Sequence, residues 1–259
     1  MDFLRKDFSR SSLVRLLGDW APVEALANQQ DIAQRLSQWL DVSDAITLHA
    51  AHQSITPAAP AKPPAAHAGQ ASQTRALAEE CQRVRTALVK AITASGATAP
   101  ARKRHDRGLL PTTAAAPEAD AGFGPHQQRY LEQQRQMALR IEALRAHVRH
   151  AVAEASPRLA PLAAMDAVLE PLFGAREQQL MGTVPVLLER RFEQLRTAHA
   201  LGRAAAQQPD DPAAWRQPCG WLHRFGQELE AALLAELEVR LQPVTGLMEA
   251  LRNEGEKST

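Results

Sequence analysis

Aromatic residues are scarce in this sequence: Phe, Trp and Tyr make up 4% of the 259 residues, although 45% of the residues are hydrophobic. The apolar content is therefore mostly Ala and Leu, and both are strong helix formers. Alternating runs of β-branched and aromatic residues, which are typical of strands, are missing. These absences predict an all-α protein without a substantial sheet.

Cysteine and long apolar runs are also lacking. Cys81 and Cys219 are far apart in the sequence, so we expect two reduced thiols rather than a disulfide framework. No uncharged apolar run approaches the ~20 residues of a membrane span. The N-terminal stretch MDFLRKDFSR carries charges where a signal peptide needs an apolar core. We therefore expect a cytoplasmic protein that does not itself insert into a membrane.

The chain has no dominant charge, because 30 basic and 29 acidic residues give a formal net charge of +1. Any nucleic-acid contact would then have to be local rather than driven by a field over the whole surface. The best local candidate is a basic cluster that could contact phosphates. Its members are Arg102, Lys103, Arg104 and Arg107. The cluster lacks interleaved aromatic residues for base stacking, so a solubilising loop is the favoured interpretation.

Helical periodicity alternates with proline-rich or basic stretches, and this alternation predicts five segments. They are an N-terminal helical unit (1–51), a Pro/Ala-rich linker (52–71), a single amphipathic helix (72–96), a flexible basic loop (97–124) and a C-terminal helical bundle (125–259). The expected architecture is a bundle of long helices with coiled-coil-like packing, joined to the small N-terminal unit by flexible linkers.

The N-terminal unit is expected to contain short helices. Ser11 or Ser12 would cap the first of them. A second would follow, and Ser43 with Asp44 would cap a last one. The second helix would carry one apolar face, made of Ile32, Leu36, Trp39 and Leu40. Further along the chain, Gly96 would end the single amphipathic helix.

The C-terminal bundle shows the clearest periodicity. A long helix would open at Pro125 and stop near Ser156 and Pro157. Two or three helices and a final arm starting near Trp221 would follow it. The apolar row of the long helix is Tyr130, Met137, Ile141, Leu144, Val148 and Val152. The row of the final arm is Leu222, Phe225, Leu229, Leu233, Leu237, Leu241, Val244, Met248 and Leu251.

Pro243 interrupts the most regular part of that arm, LLAELEVRLQPVTGLMEALR. A proline inside a helix costs roughly 3 kcal/mol through a lost hydrogen bond and a ring clash. The apolar steps nevertheless stay at three or four residues straight through it. Burial of several Leu side chains can offset the cost, so we expect one kinked helix or two nearly collinear ones rather than a hairpin.

Catalytic motifs are missing as well. The sequence contains no nucleophile elbow, phosphate-binding loop or HExxH pair. His147, His150 and Glu154 have spacing that could offer three metal ligands, but a solvated helix face is the favoured interpretation. The paired acids, including Glu236 and Glu238, are expected to be salt-bridged surface residues. We therefore expect a protein that is not an enzyme and holds no cofactor or metal.

Two tryptophans near the start of the final arm are the more distinctive feature. Core packing is the favoured interpretation, and the alternative is a partner interface, because Trp is enriched at binding hot spots. The candidate interface residues are Trp215, Trp221, Leu241, Val244, Met248 and Leu251.

Taken in order, five segments resemble an uncharacterised family of proteobacterial proteins. They are SSLVRLLGDW, QRLSQWLDVSDAITLHAA, YLEQQRQMALRIEALRAHVRHAV, LAAMDAVLE with VPVLLERRFEQLR, and LLAELEVRLQPVTGLMEALR. Together they cover more than half of the chain. The last is the most specific, because its Leu-Gln-Pro-Val run is unusual inside a helical row.

The resemblance implies a role in anti-phage defence. Members of the family look like products of operons that also encode a MotA/TolQ-like proton channel and an OmpA-like peptidoglycan-binding protein, in an arrangement similar to type III Zorya systems. The resemblance therefore implies that the chain is a cytosolic accessory component, recruited to the inner membrane through its partners. Those partners would be a second cytosolic protein of the operon, the channel's cytoplasmic tail or a second copy of the chain. The alternative is a nucleic-acid-binding effector subunit that contacts DNA.

Overall fold

The computed structural model describes residues 11–20, 42–54, 67–97, 122–207 and 209–257. Within these ranges the chain forms α-helices, one short 3₁₀ turn (Ala214–Arg216) and no strand, which confirms the all-α prediction. The helices are α1 (Ser12–Trp20), α2 (Val42–Ser54), α3 (His67–Ala97), α4 (Gly124–Ala155), α5 (Ala160–Met181), α6 (Val184–Ala206) and α7 (Trp221–Lys257).

Helices α2 and α3 differ from the sequence prediction at their ends. Ser43 and Asp44 lie inside the first turn of α2 rather than before it. Helix α3 begins at His67, five residues before the expected Ser72, and continues past Gly96. The earlier start is possible because the four prolines of the predicted linker all precede His67. The segment after them contains Ala and Gln, which favour helix. The predicted face at Ile32, Leu36, Trp39 and Leu40 lies outside the described residues.

Helix α4 begins and ends where its sequence signals predict. Pro125 lies in its first turn, where a missing backbone N–H costs nothing. The helix ends at Ala155, directly before Ser156 and Pro157. Every member of its predicted apolar row, from Tyr130 to Val152, is buried. Gly182 separates α5 from α6, whereas Pro171 and Gly174 lie within α5 and do not end it.

Helix α7 runs through Pro243 as one element of 37 residues. Val244 and Leu247, just after the proline, are 3% and 4% exposed, and Leu237 before it is 2% exposed. Apolar burial on both sides of the proline therefore offsets the lost hydrogen bond, as the uninterrupted row predicts.

The chain divides into two compact units, and α3, α4 and α7 contribute residues to both. Unit one comprises residues 1–21, 88–136 and 184–237. Its core contains the aromatic residues Trp20, Phe123, Tyr130, Phe192, Trp221 and Phe225. The Phe225 ring meets Phe192 edge to face at a centroid distance of 5.0 Å and Phe123 at 6.2 Å. Such tilted contacts are the favourable geometry for aromatic rings.

Unit two comprises residues 22–87, 137–183 and 238–259. Its described buried side chains are aliphatic or methionine, and α2 packs against α5 within it. Arg145 donates from Nε and Nη2 to Asp166, at 3.0 and 2.6 Å. Arg149 bridges Asp166 and Glu170 at 3.1 and 2.5 Å. Arg145 and Arg149 of α4 thus form a salt-bridged face with the acids of α5.

Candidate interaction groove

A groove of about 970 Å³ lies in unit two, between α3 and the C-terminal part of α7. Val244 and Leu251, which are 3% and 4% exposed, contribute to its apolar floor. Leu241 and Met248 are only partly buried and also line it. Four of the six residues predicted for a partner interface are therefore brought together in one place.

The walls of the groove repeat at heptad spacing on both helices. The α3 outer row consists of Ala71, Thr74, Ala78, Cys81 and Arg85, at steps of three and four. The α7 outer row consists of Glu238, Leu241, Thr245, Met248, Arg252 and Gly255, at the same steps. These rows are distinct from the buried rows that hold each helix in unit two, which include Leu77 on α3 and Leu247 on α7. Heptad rows of this kind are what one helix presents to another.

The two walls carry opposite charge. On α3 the lining contains Arg75 and Arg85 and no acidic residue. On α7 it contains three acids and one arginine, and Arg252 pairs with Glu256 at 3.8 Å. The acids are Glu238, Glu249 and Glu256. An approaching surface therefore meets a basic wall on one side and an acidic wall on the other.

Cys81 places a thiol in the α3 wall. Burial and, second, the charge of Glu80 raise the pKa of this thiol above the ordinary value of 9.0. Cys219 lies in unit one and is exposed, with a left-handed backbone (φ 79°) just before Gly220. No ordinary side chain fits at position 220, because a Cβ there would lie 2.2 Å from the carbonyl oxygen of Trp215.

The tryptophan pair lies in unit one. Trp221 is 6% exposed and packs against Phe192 at 5.2 Å, so it is part of the core rather than a free surface anchor. Trp215 is partly buried, and its indole N–H donates to Asp210 at 3.0 Å. This hydrogen bond is the leading influence that lowers the pKa of Asp210, with His199 and Arg203 adding to it.

Glu236 is the polar residue that sequence reasoning placed wrongly. It was expected on the surface, but its exposure is 0%. The Tyr130 hydroxyl donates to Glu236 Oε2 at 2.6 Å, and the Gln134 amide donates to the same carboxylate at 3.0 Å. Its burial could have been recognised from its position three residues after Leu233, which places Glu236 at the edge of the buried row of α7.

His147 and His150, whose spacing could offer metal ligands, lie in separate pairs. His147 Nδ1 lies 3.3 Å from Glu80, and His150 Nε2 lies 3.3 Å from Glu154, with both pairs largely exposed. Across the described ranges, no three His, Cys, Asp or Glu side chains are grouped as metal ligands would be.

The basic cluster Arg102, Lys103, Arg104 and Arg107 lies outside the described residues. Of the helices that are described, none has the length and apolar character to cross a bilayer.

Residues 2–253 match a family described as a protein of unknown function, DUF3348. The match spans nearly the whole chain, so the chain belongs to this family. No curated protein and no solved structure matches the chain significantly.

Proposed function

We propose that this member of the DUF3348 family is a non-catalytic helical assembly protein. The observation that carries the proposal is the groove of unit two, where two helices present heptad-spaced outer rows that are not part of the buried core. A groove between two such rows is the geometry that accepts an amphipathic helix. The groove would then be the surface through which the chain joins its complex.

The setting of this assembly follows from the sequence resemblance. We propose a cytoplasmic component of an anti-phage defence complex similar to type III Zorya, working beneath a proton-driven membrane motor. The partners would be a second cytosolic protein, the cytoplasmic tail of the MotA/TolQ-like channel, or the chain itself. The mechanism would be conformational, with a signal from the membrane unit changing how the helices pack and so exposing or releasing a partner.

Co-purification tests the assembly role. The tagged chain would be recovered from cells that carry the neighbouring genes and a second, differently tagged copy, with and without phage. We expect at least one of these proteins to be recovered with the tagged chain. Recovery of the tagged chain alone in both conditions would contradict the proposal.

A matched pair of variants assigns the interaction to the groove. Ala78 and Ala87 are both exposed alanines of α3, and nine residues place them on opposite sides of the helix. Only Ala78 lines the groove. Ala78→Glu should abolish recovery of a partner, because it puts a charge into the outer row, whereas Ala87→Glu should leave recovery unchanged. Equal effects of both substitutions would remove the groove from the proposal.

A further inference from the structure

We infer that the groove of unit two binds a second copy of this chain, so that α3 of each copy packs against α7 of the other around a two-fold axis. This inference deepens the proposed function, because it names the occupant of the proposed docking surface. It rests on the opposite charge of the two walls, on their matched spacing and on the heptad-spaced outer rows.

Charge selects this pairing over its alternative. A two-fold axis through the groove can place α3 against α3 of the second copy, or α3 against α7. The first arrangement opposes Arg75 and Arg85 to the same basic residues, which is unfavourable. The second arrangement places these arginines opposite the acidic wall of α7. This contact occurs twice, once on each side of the axis. A surface with one basic and one acidic wall is self-complementary, as an isologous interface requires.

The spacing of the charges fits this arrangement. Arg75 and Arg85 lie about 15 Å apart along α3, and Glu238 and Glu249 lie about 17 Å apart along α7, at ~1.5 Å per residue. The two separations therefore match to within about 2 Å, as pairing of the two charge rows requires. On the same wall, Ala71, Thr74 and Ala78 are small side chains. Small side chains let the bulkier Leu241 and Met248 of the second copy approach closely.

The size of the surface predicts a weak dimer. The lining runs from Ala71 to Arg85 and from Glu238 to Glu256, or about 21 and 27 Å of helix. Two helices side by side are about 20 Å wide, so the flat footprint is roughly 400–550 Å² per copy. That is below the ~800 Å² per partner of a standard stable interface. We therefore expect association that depends on concentration in the micromolar range.

Sedimentation of the purified full-length chain with charge-reversed variants tests the inference. The first variant is Arg75→Glu with Arg85→Glu, and the second is Glu238→Arg with Glu249→Arg. All four positions are exposed, and circular dichroism would check that each variant keeps its helix content. The wild type should pass from monomer to dimer as its concentration rises. Each variant alone should stay monomeric, because both of its walls then carry the same sign.

An equimolar mixture of the two variants should dimerise again. In the mixed pair, the acidic α3 of the first variant meets the basic α7 of the second. At the other contact, the acidic α7 of the first variant meets the basic α3 of the second. A wild type that remains monomeric up to about 1 mM would overturn the inference, and so would variants that still dimerise alone or fail to do so when mixed. A monomeric chain that still recovers another protein would leave the assembly role intact, so the two proposals fail separately.

Discussion

The two units of this chain bury different kinds of side chain. The described buried aromatic residues all belong to unit one, where the rings of Phe192 and Phe225 pack with Phe123 and Trp221 at centroid distances of 5.0 to 6.2 Å. The described core of unit two is made of aliphatic and methionine side chains, with a salt-bridged network on α4 and α5. Helix α7 contributes to both units with the same apolar row. Its N-terminal members are buried, whereas Leu241 and Met248 are left partly exposed at the groove. The periodicity of a row thus does not reveal how completely the row is covered.

The largest expected effect breaks the aromatic core of unit one. Phe225 is 0% exposed, so Phe225→Ala should lower the free energy of unfolding by about 3–5 kcal/mol. Leu241→Ala is the matched change on the same helix in unit two. It should cost only about 1 kcal/mol, because its side chain is already partly exposed. Urea unfolding followed by circular dichroism measures both losses, and equal losses would contradict the contrast between the units.

A smaller effect is expected at the buried carboxylate of unit one. Tyr130→Phe removes the hydroxyl that donates to Glu236, so the free energy of unfolding should fall by about 1–3 kcal/mol. The control is the double variant Tyr130→Phe with Glu236→Leu, which removes the buried carboxylate that has lost one donor and should be more stable than the single variant. Chemical denaturation of both proteins measures the difference. A double variant less stable than Tyr130→Phe would show that the carboxylate is not the source of the loss.

The next effect concerns acid stability in unit one. Burial would raise the pKa of Glu228, but hydrogen bonds and charges from Arg191 and Arg224 outweigh it, so the pKa lies below the ordinary value of 4.5. The folded pKa is depressed, so this stabilisation is present above about pH 4.5 and is lost as the pH falls through the folded value.

Glu228→Gln should therefore lower the free energy of unfolding at pH 7 by about 1–2 kcal/mol, because Arg191 donates to that carboxylate at 2.7 and 2.8 Å. The difference from the wild type should shrink below pH 4.5. Glu189→Gln, at an exposed position of α6, is the control and should change little at either pH. Unfolding measured from pH 3 to 7 tests this, and a difference that stays constant with pH would contradict it.

Rows of large apolar residues made most of the fold predictable. The α4 row from Tyr130 to Val152 and the path of α7 through Pro243 follow from steps of three and four residues, because only a helix brings such residues to one face. A helix end was predictable where a proline follows the last apolar residue of a row, as at Ser156 and Pro157. Pro171 is also a helix-breaking residue, but it lies inside α5.

The candidate site was predictable on one wall only. Leu241 and Met248 belong to a conspicuous apolar row, so they could be named as interface residues. The α3 wall could not, because Ala71, Thr74 and Ala78 are small or polar and carry no hydrophobic periodicity. Glu236 was misplaced for a related reason. Whether a carboxylate at the edge of a row is buried depends on a donor such as Tyr130, which is 106 residues away in the sequence.

The smallest expected effect compares the two thiols and leaves stability unchanged. Burial and the charge of Glu80 raise the pKa of Cys81 above the ordinary thiol value, which disfavours its reactive thiolate form. Its position in the groove wall also limits access, whereas Cys219 is exposed in unit one. Cys219 should therefore react first with a thiol reagent at pH 8, with Cys81 several-fold slower.

Single variants Cys81→Ser and Cys219→Ser assign the two phases of the reaction to the two thiols. A faster phase that disappears in Cys81→Ser would contradict the burial of that thiol. If the groove binds a second copy, raising the protein concentration should slow the Cys81 phase further and leave the Cys219 phase unchanged.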